Sequence, residues 1–126
     1  MESQQGQVKV TQNDGVAVVE FEDRKILEEI SIAQIGETLS DVVQSVPNVK
    51  IVLSFRNVEH LSSAALGMLI NLRNQVQKVS GKLMLSNIRP QIYEVFKITQ
   101  LYKLFEIHDT AAQAIHQMSA GDSTED

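Results

Sequence analysis

The sequence predicts an α/β domain: a mixed, mostly parallel sheet of about five strands, opened by an N-terminal β-hairpin, with helices packed mainly on one face. Three observations carry that prediction. Asn13-Asp14-Gly15, a strong turn signal, separates two stretches of β-type residues. Runs rich in β-branched residues then alternate with stretches whose apolar residues recur at helical spacing, the pattern of strand, helix, strand units. Parallel neighbours need such crossovers, and right-handed crossovers gather helices on one face while the loops after the strands are left to carry function.

Val8 and Val10 alternate with polar residues between Gln7 and Thr11, and Val16 to Phe21 reads as the second hairpin strand. Glu22-Asp23-Arg24-Lys25 is a polar connection. Ile32, Ile35, Leu39, Val42 and Val46 form a helical stripe, for which Ser31 with Gln34 offers a capping box. Gly36 lies inside that stripe. Glycine weakens a helix by up to about 1 kcal/mol relative to alanine, so either Gly36 permits close packing or the helix starts later. Pro47-Asn48 ends the helix, and Val49 to Phe55 follows as a buried central strand.

A second helix is marked by Leu69, Leu72, Val76 and Val79 and is stopped by Ser80-Gly81. Lys82 to Ser86 gives another strand, with Leu83, Met84 and Leu85. Pro90 suits the first position of a short helix with Ile92, Val95 and Phe96 inward, and Leu104 to Ile107 reads as a last short strand. Asp109 or Thr110 then caps a closing helix in which Ala111, Ala114, Ile115 and Met118 face the core. The expected organisation is a flexible segment over residues 1–6, one domain over 7–118 and a disordered acidic tail over 119–126, because the tail's small and polar residues cannot bury apolar area.

A chain of 126 residues can bury one continuous core without disulfides or metals. It has no cysteine, which removes thiolate chemistry and sulfur-based zinc sites and fits a reducing cytoplasm. The first residues show no signal peptide, and no apolar run approaches membrane-spanning length. A net charge of -5, with no tryptophan and few aromatics, disfavours direct binding to nucleic acid or to an anionic membrane. The expected state is a cytoplasmic monomer or weak dimer.

The most informative stretch is Leu61-Ser62-Ser63-Ala64-Ala65-Leu66-Gly67, where an apolar strand has ended and a helix begins. Unpaired N–H groups and the positive end of the helix dipole converge there, which suits a serine cap, a bound anion or an attached phosphate. Enzyme signatures are lacking: His60, His108 and His116 have no metal-ligand spacing, and there is no phosphate-binding glycine loop, dinucleotide fingerprint or Gly-x-Ser-x-Gly elbow. Ser63 is flanked by alanine and has no assignable His base, so no catalytic residue, metal site or cofactor is expected. Glu22 and Asp23 could form an acidic rim near the serines if the second strand runs beside the central one; a solvated turn is the plainer reading.

From Gln7 to Met118 the chain resembles STAS domains of the bacterial anti-sigma factor antagonist type. In that family a central strand leads through a loop reading roughly Asp-Ser-Ser/Thr-Gly-Leu-Gly into a helix, which here corresponds to Ser62-Ser63-Ala64-Ala65-Leu66-Gly67. Gly81-Lys82-Leu83, Arg89-Pro90, Val95-Phe96 and Leu101-Tyr102-Lys103-Leu104-Phe105 match in order and spacing. The family's Asp is replaced by Ser62 and its Gly by Ala65.

The resemblance implies a STAS-like fold and a switch without chemistry of its own. Such a protein binds an anti-sigma factor that is also a serine kinase, is phosphorylated by it with ATP at the position of Ser63, and is reset by a PP2C-type phosphatase. Ser62 is the alternative phosphosite. Ser62, Ser63, Ala64 and Met68, with Asp23, would form the partner surface. The alternative function is a scaffold subunit of a stressosome-like signalling complex without its own phosphoswitch.

Overall fold

A computed structural model describes the backbone of residues 8–123 and side chains as far as Met118. β1 (Val8–Asn13) and β2 (Val16–Phe21) form the antiparallel hairpin, with Asp14 and Gly15 both at positive φ in the tight turn between them. There follow β3 (Lys25–Ile26), α1 (Glu29–Ser45), β4 (Lys50–Ser54), β5 (His60–Leu61) and α2 (Ser63–Lys78). The chain closes with β6 (Lys82–Ser86), α3 (Pro90–Ile98), a 3-10 turn (Leu101–Lys103), β7 (Glu106–His108) and α4 (Ala111–Ser123). The main sheet has the order β1-β2-β4-β6-β7 and only its hairpin pair is antiparallel; β3 and β5 form a separate two-stranded parallel ladder.

The two-residue period of the strands sorts side chains between two cores. Ala17, Val19, Phe21, Ile51, Leu53 and Leu85 face α1, α2 and α3, where they pack with Ile35, Leu39, Leu69, Leu72, Ile92 and Phe96. Phe21, Phe55, Phe96 and Phe105 pack tilted and edge-to-face in a chain through this layer, with successive ring centroids 5.0, 6.4 and 6.0 Å apart. On the other face Val16, Val52 and Met84 pack with Ala114 and Met118 of α4.

At the carboxyl end of the sheet, on the α4 face, register places Glu20, Ser54, Ser86 and His108 in one polar row. Buried hydroxyls need acceptors, and Asn87 supplies one: its Oδ1 accepts from Ser54 Oγ at 3.3 Å, Ser86 Oγ at 3.1 Å and the Ala111 N–H at 3.1 Å. Asn87 sits at φ 57, the left-handed region that asparagine tolerates better than most residues. One side chain thereby fastens β4 and β6 to the start of α4.

Several local expectations are corrected. α1 starts at Glu29 with Glu28 as an N-cap that makes no side-chain bond, and Ser31 is only 3% exposed inside the helix, so it forms no capping box with Gln34. The β3–β5 ladder sets that helix start before the stripe begins. Val46 is the C-cap and 52% exposed, and Val43 occupies the inward position four residues after Leu39. The last strand begins at Glu106, because Leu101–Lys103 wind into the 3-10 turn and exposed Leu104 gives its carbonyl to Arg73 Nε at 2.8 Å. Thr110, rather than Asp109, caps α4 by accepting from the Gln113 N–H at 3.1 Å.

α4 remains helical to Ser123, over part of the stretch expected to be a tail; once Met118 is seated, each further residue adds a backbone bond to an existing helix. The segments 1–7 and 124–126 lie outside the described residues, and with them the expected flexible start and the end of the tail.

Gly36 is inside α1, so the helix does not start later, and no close approach requires a glycine at this position. A Cβ at Gly36 would lie 3.5 Å from Met68 Cγ, an ordinary contact. At Gly81 a Cβ would lie 2.5 Å from the Val49 carbonyl oxygen, which the sheet cannot move aside. Gly81→Ala is therefore expected to lower stability by about 1–3 kcal/mol. Gly36→Ala is expected to raise it by up to about 1 kcal/mol. Urea unfolding of both variants beside the parent checks the two signs.

Candidate functional site

Backbone bonds, rather than side chains, bring the candidate residues together. Lys25 pairs with His60 and Ile26 with Leu61 in the β3–β5 ladder. The Arg24 carbonyl accepts from the N–H groups of Glu59 (2.7 Å) and His60 (3.1 Å), and the Ile26 carbonyl accepts from the Ser62 N–H at 3.1 Å. Buried Ile26 and half-buried Leu61 anchor the ladder to the core. The connection after β2 is thus laid alongside the start of α2.

Ser62 and Ser63 divide two roles. Ser62 is the N-cap: it is extended at φ -88, ψ 169, and its Oγ accepts from the Ala65 N–H at 3.1 Å. Its carbonyl takes the first intrahelical bond, from the Leu66 N–H at 3.1 Å. Ser63 is the first helical residue and is exposed, as is Ala64, whereas Ala65 is buried. In a helix the N–H groups of these first positions have no intrahelical acceptor, and the first turn of α2 carries no acidic residue. The site can therefore accommodate negative charge on Ser63 without disturbing the cap.

Met68 is half-buried one turn beyond Ala64 on the same helical face. Asp23 is half-buried in the connection between β2 and β3, where a hollow is lined by Glu22, Asp23, Arg24, Lys25, Leu27 and Glu28, together with Ser31. β2 does run beside β4, while Glu22 and Asp23 share their hollow with the cations Arg24 and Lys25. Arg24 and Glu59 make a long ion pair at 3.5 Å across the ladder, the Arg24 side chain mostly in solvent and that of Glu59 partly covered, and its energetic contribution is small. Among the described residues there is no group of three or more His, Cys, Asp or Glu side chains that could hold a metal ion, and no helix is long and apolar enough to cross a membrane.

Two exposed aliphatic side chains at this site were not expected from the sequence. Leu27, 46% exposed, follows the ladder directly, and Ile30, 72% exposed, sits in the first turn of α1. Helical geometry contained the signal: at about 100° per residue, Ile30 lies roughly 200° from Ile32 and cannot share its buried stripe. The short ladder itself was also missed, because two-residue strands carry no detectable period.

A family model described as STAS domain matches residues 7–114. A protein of Thermotoga neapolitana named as a candidate anti-sigma factor antagonist is 30% identical over 69 residues, 55% of this chain and 61% of that protein. A second candidate anti-sigma factor antagonist, from Bordetella bronchiseptica, is 28% identical over 65 residues, 52% of this chain and 56% of that protein. The chain thus spans less than two thirds of the length of either relative. Among solved structures, an anti-sigma-factor antagonist (STAS) domain protein from Planctomyces limnophilus superposes with a TM-score of 0.80 at 21% identity, over 88% of this chain and 96% of that one. SpoIIAA of Bacillus in its phosphorylated form superposes with a TM-score of 0.68 at 18% identity, over 89% of this chain and 99% of that one. At these identities the structural likeness speaks for the fold.

The separation of roles between the two serines can be measured. Ser62→Ala is expected to lower stability by about 1 kcal/mol through loss of the cap. Ser63→Ala is expected to change it by less than about 0.5 kcal/mol, as for an ordinary surface position. Thermal melts followed by circular dichroism distinguish the two; equal losses would contradict the assignment of the cap to Ser62.

Proposed function

The chain belongs to the STAS domain family, and on that premise we propose that it is an anti-sigma factor antagonist, a binding protein that sequesters an anti-sigma factor with serine kinase activity and is released when Ser63 is phosphorylated. The observation that carries this reading is the division between a capping Ser62 and an exposed Ser63 at the first position of a sixteen-residue helix. Family membership, the likeness to named antagonists and the fold shared with phosphorylated SpoIIAA support it.

The switch works through charge. A phosphate adds about -1.5 to -2 charge, which a helix N-terminus tolerates in the isolated domain. An interface closing over the same atoms must desolvate that dianion. Such burial without cationic partners costs several kcal/mol, while about 1.4 kcal/mol is already a tenfold change in affinity. Partner choice then flips while the fold stays as it is.

In this reading the kinase uses ATP, a PP2C-type phosphatase resets the switch, and the chain supplies no catalysis. Ser63, Ala64 and Met68 form the contact surface on α2, with Ser62 beneath them and Asp23 contributing from the neighbouring connection. Both partners act in the cytoplasm.

Tandem mass spectrometry of the protein purified from growing and from stressed host cells is expected to show phosphate on Ser63 whose occupancy changes with condition. Signal on Ser62 would move the site by one residue. No phosphate at full peptide coverage would favour a constitutive scaffold. In parallel, Ser63→Asp is expected to abolish capture of the anti-sigma kinase while shifting the melting midpoint by no more than a few degrees.

A further inference from the structure

β2 to β4 and β4 to β6 are both parallel connections, so α1 and α2 return across the sheet side by side with the same polarity. Between them runs a surface groove of about 470 Å³. From α1 it is lined by Gly36, Glu37 and Asp41, and from α2 by Met68, Asn71 and Gln75. Two chemical zones follow one another along it.

The upper zone is apolar. Gly36 presents no side chain, which leaves Met68 free along its edge and able to adapt to an apolar visitor. Exposed Ile30 precedes Ala33 by one turn on the α1 side, and exposed Ala64 precedes Met68 by one turn on the α2 side. Ser63 adjoins Ala64, so the proposed phosphosite lies on α2 just over one turn before Met68, which lines the groove. The lower zone is acidic and amide-rich. Glu37 and Asp41 are four residues apart on one helical face, both exposed, and no Lys, Arg or His lines the groove.

We infer that this groove docks a basic amphipathic helix of the partner that reads Ser63, with aliphatic side chains against Met68 and towards Ile30, and Lys or Arg side chains against Glu37 and, one turn further on, Asp41. The proposal rests on the reading of Ser63 above and adds to it the chemistry of the partner. A channel between two parallel helices suits a third helix, and the carboxylates select a cationic one while disfavouring nucleic acid or anionic lipid. The zoning also explains release. Phosphate on Ser63 falls at the apolar end, against the partner's aliphatic side chain and away from its cations, where a dianion disrupts an interface.

The test is site-specific photocrosslinking in the native host, with p-benzoylphenylalanine placed in the full chain at Ala64 or at Asn71. Both positions are expected to give an adduct with the same protein, and the Asn71 adduct to map to a helix carrying Lys or Arg at spacings of three or four. The double change Glu37→Lys and Asp41→Lys is expected to reduce the Ala64 adduct by about tenfold or more, with the circular dichroism spectrum unchanged. An Ala64 adduct without one from Asn71, an Asn71 adduct on a neutral or acidic segment, or a yield indifferent to the charge reversal would overturn the groove proposal and leave the Ser63 reading standing. No adduct from either position would overturn both.

Discussion

Two rungs of parallel pairing, Lys25–His60 and Ile26–Leu61, hold the proposed functional end of the domain in place. They are short, and their stability comes from the buried side chain of Ile26 and the carbonyls of Arg24 and Ile26, which take up N–H groups from Glu59, His60 and Ser62. The ladder decides where α1 and α2 begin and sets those beginnings next to each other. The position of Ser63, the exposure of Leu27 and Ile30, and the groove between the helices all follow from that placement.

The buried polar junction and the proposed recognition surface lie on different faces of the sheet. The buried polar junction at Asn87 lies on the α4 face, where it satisfies Ser54 and Ser86 and fixes the start of the last helix. The surface around Ser63 lies on the α1–α2 side, over a continuous apolar core that includes Ala65 and Leu69. A charge added at Ser63 therefore meets no buried polar network that it could unbalance. In the proposed switch, this separation would let the surface change its charge while the packing beneath it stays the same.

Long elements were legible in the sequence and short ones were not. The hairpin, the buried central strand, the helix from Ser63 and the crossovers follow from apolar spacing and turn chemistry, which is strong over many residues. Strands of two or three residues offer no periodicity, so β3 and β5 escaped and β7 was placed too early. Ser31 with Gln34 satisfied a local capping rule that tertiary pairing overrode, and Val46 continued a stripe beyond the point where the helix ends. At the site, the serines were recognisable because their residue types suit a helix N-terminus. Leu27 and Ile30 were not, since an exposed aliphatic side chain acquires meaning only from its neighbours in space.

The cap on Ser62 also bears on how fast such a switch can operate. A hydroxyl already at the surface, with the helix start secured by its neighbour, requires no local unfolding before an enzyme can reach it. Opening motions that expose buried sites take from microseconds to seconds, and this site bypasses them. Response time in the proposed circuit would then be governed by encounter and by the turnover of kinase and phosphatase. The domain itself would add no delay, and the memory of a past signal would last as long as the phosphate ester remains.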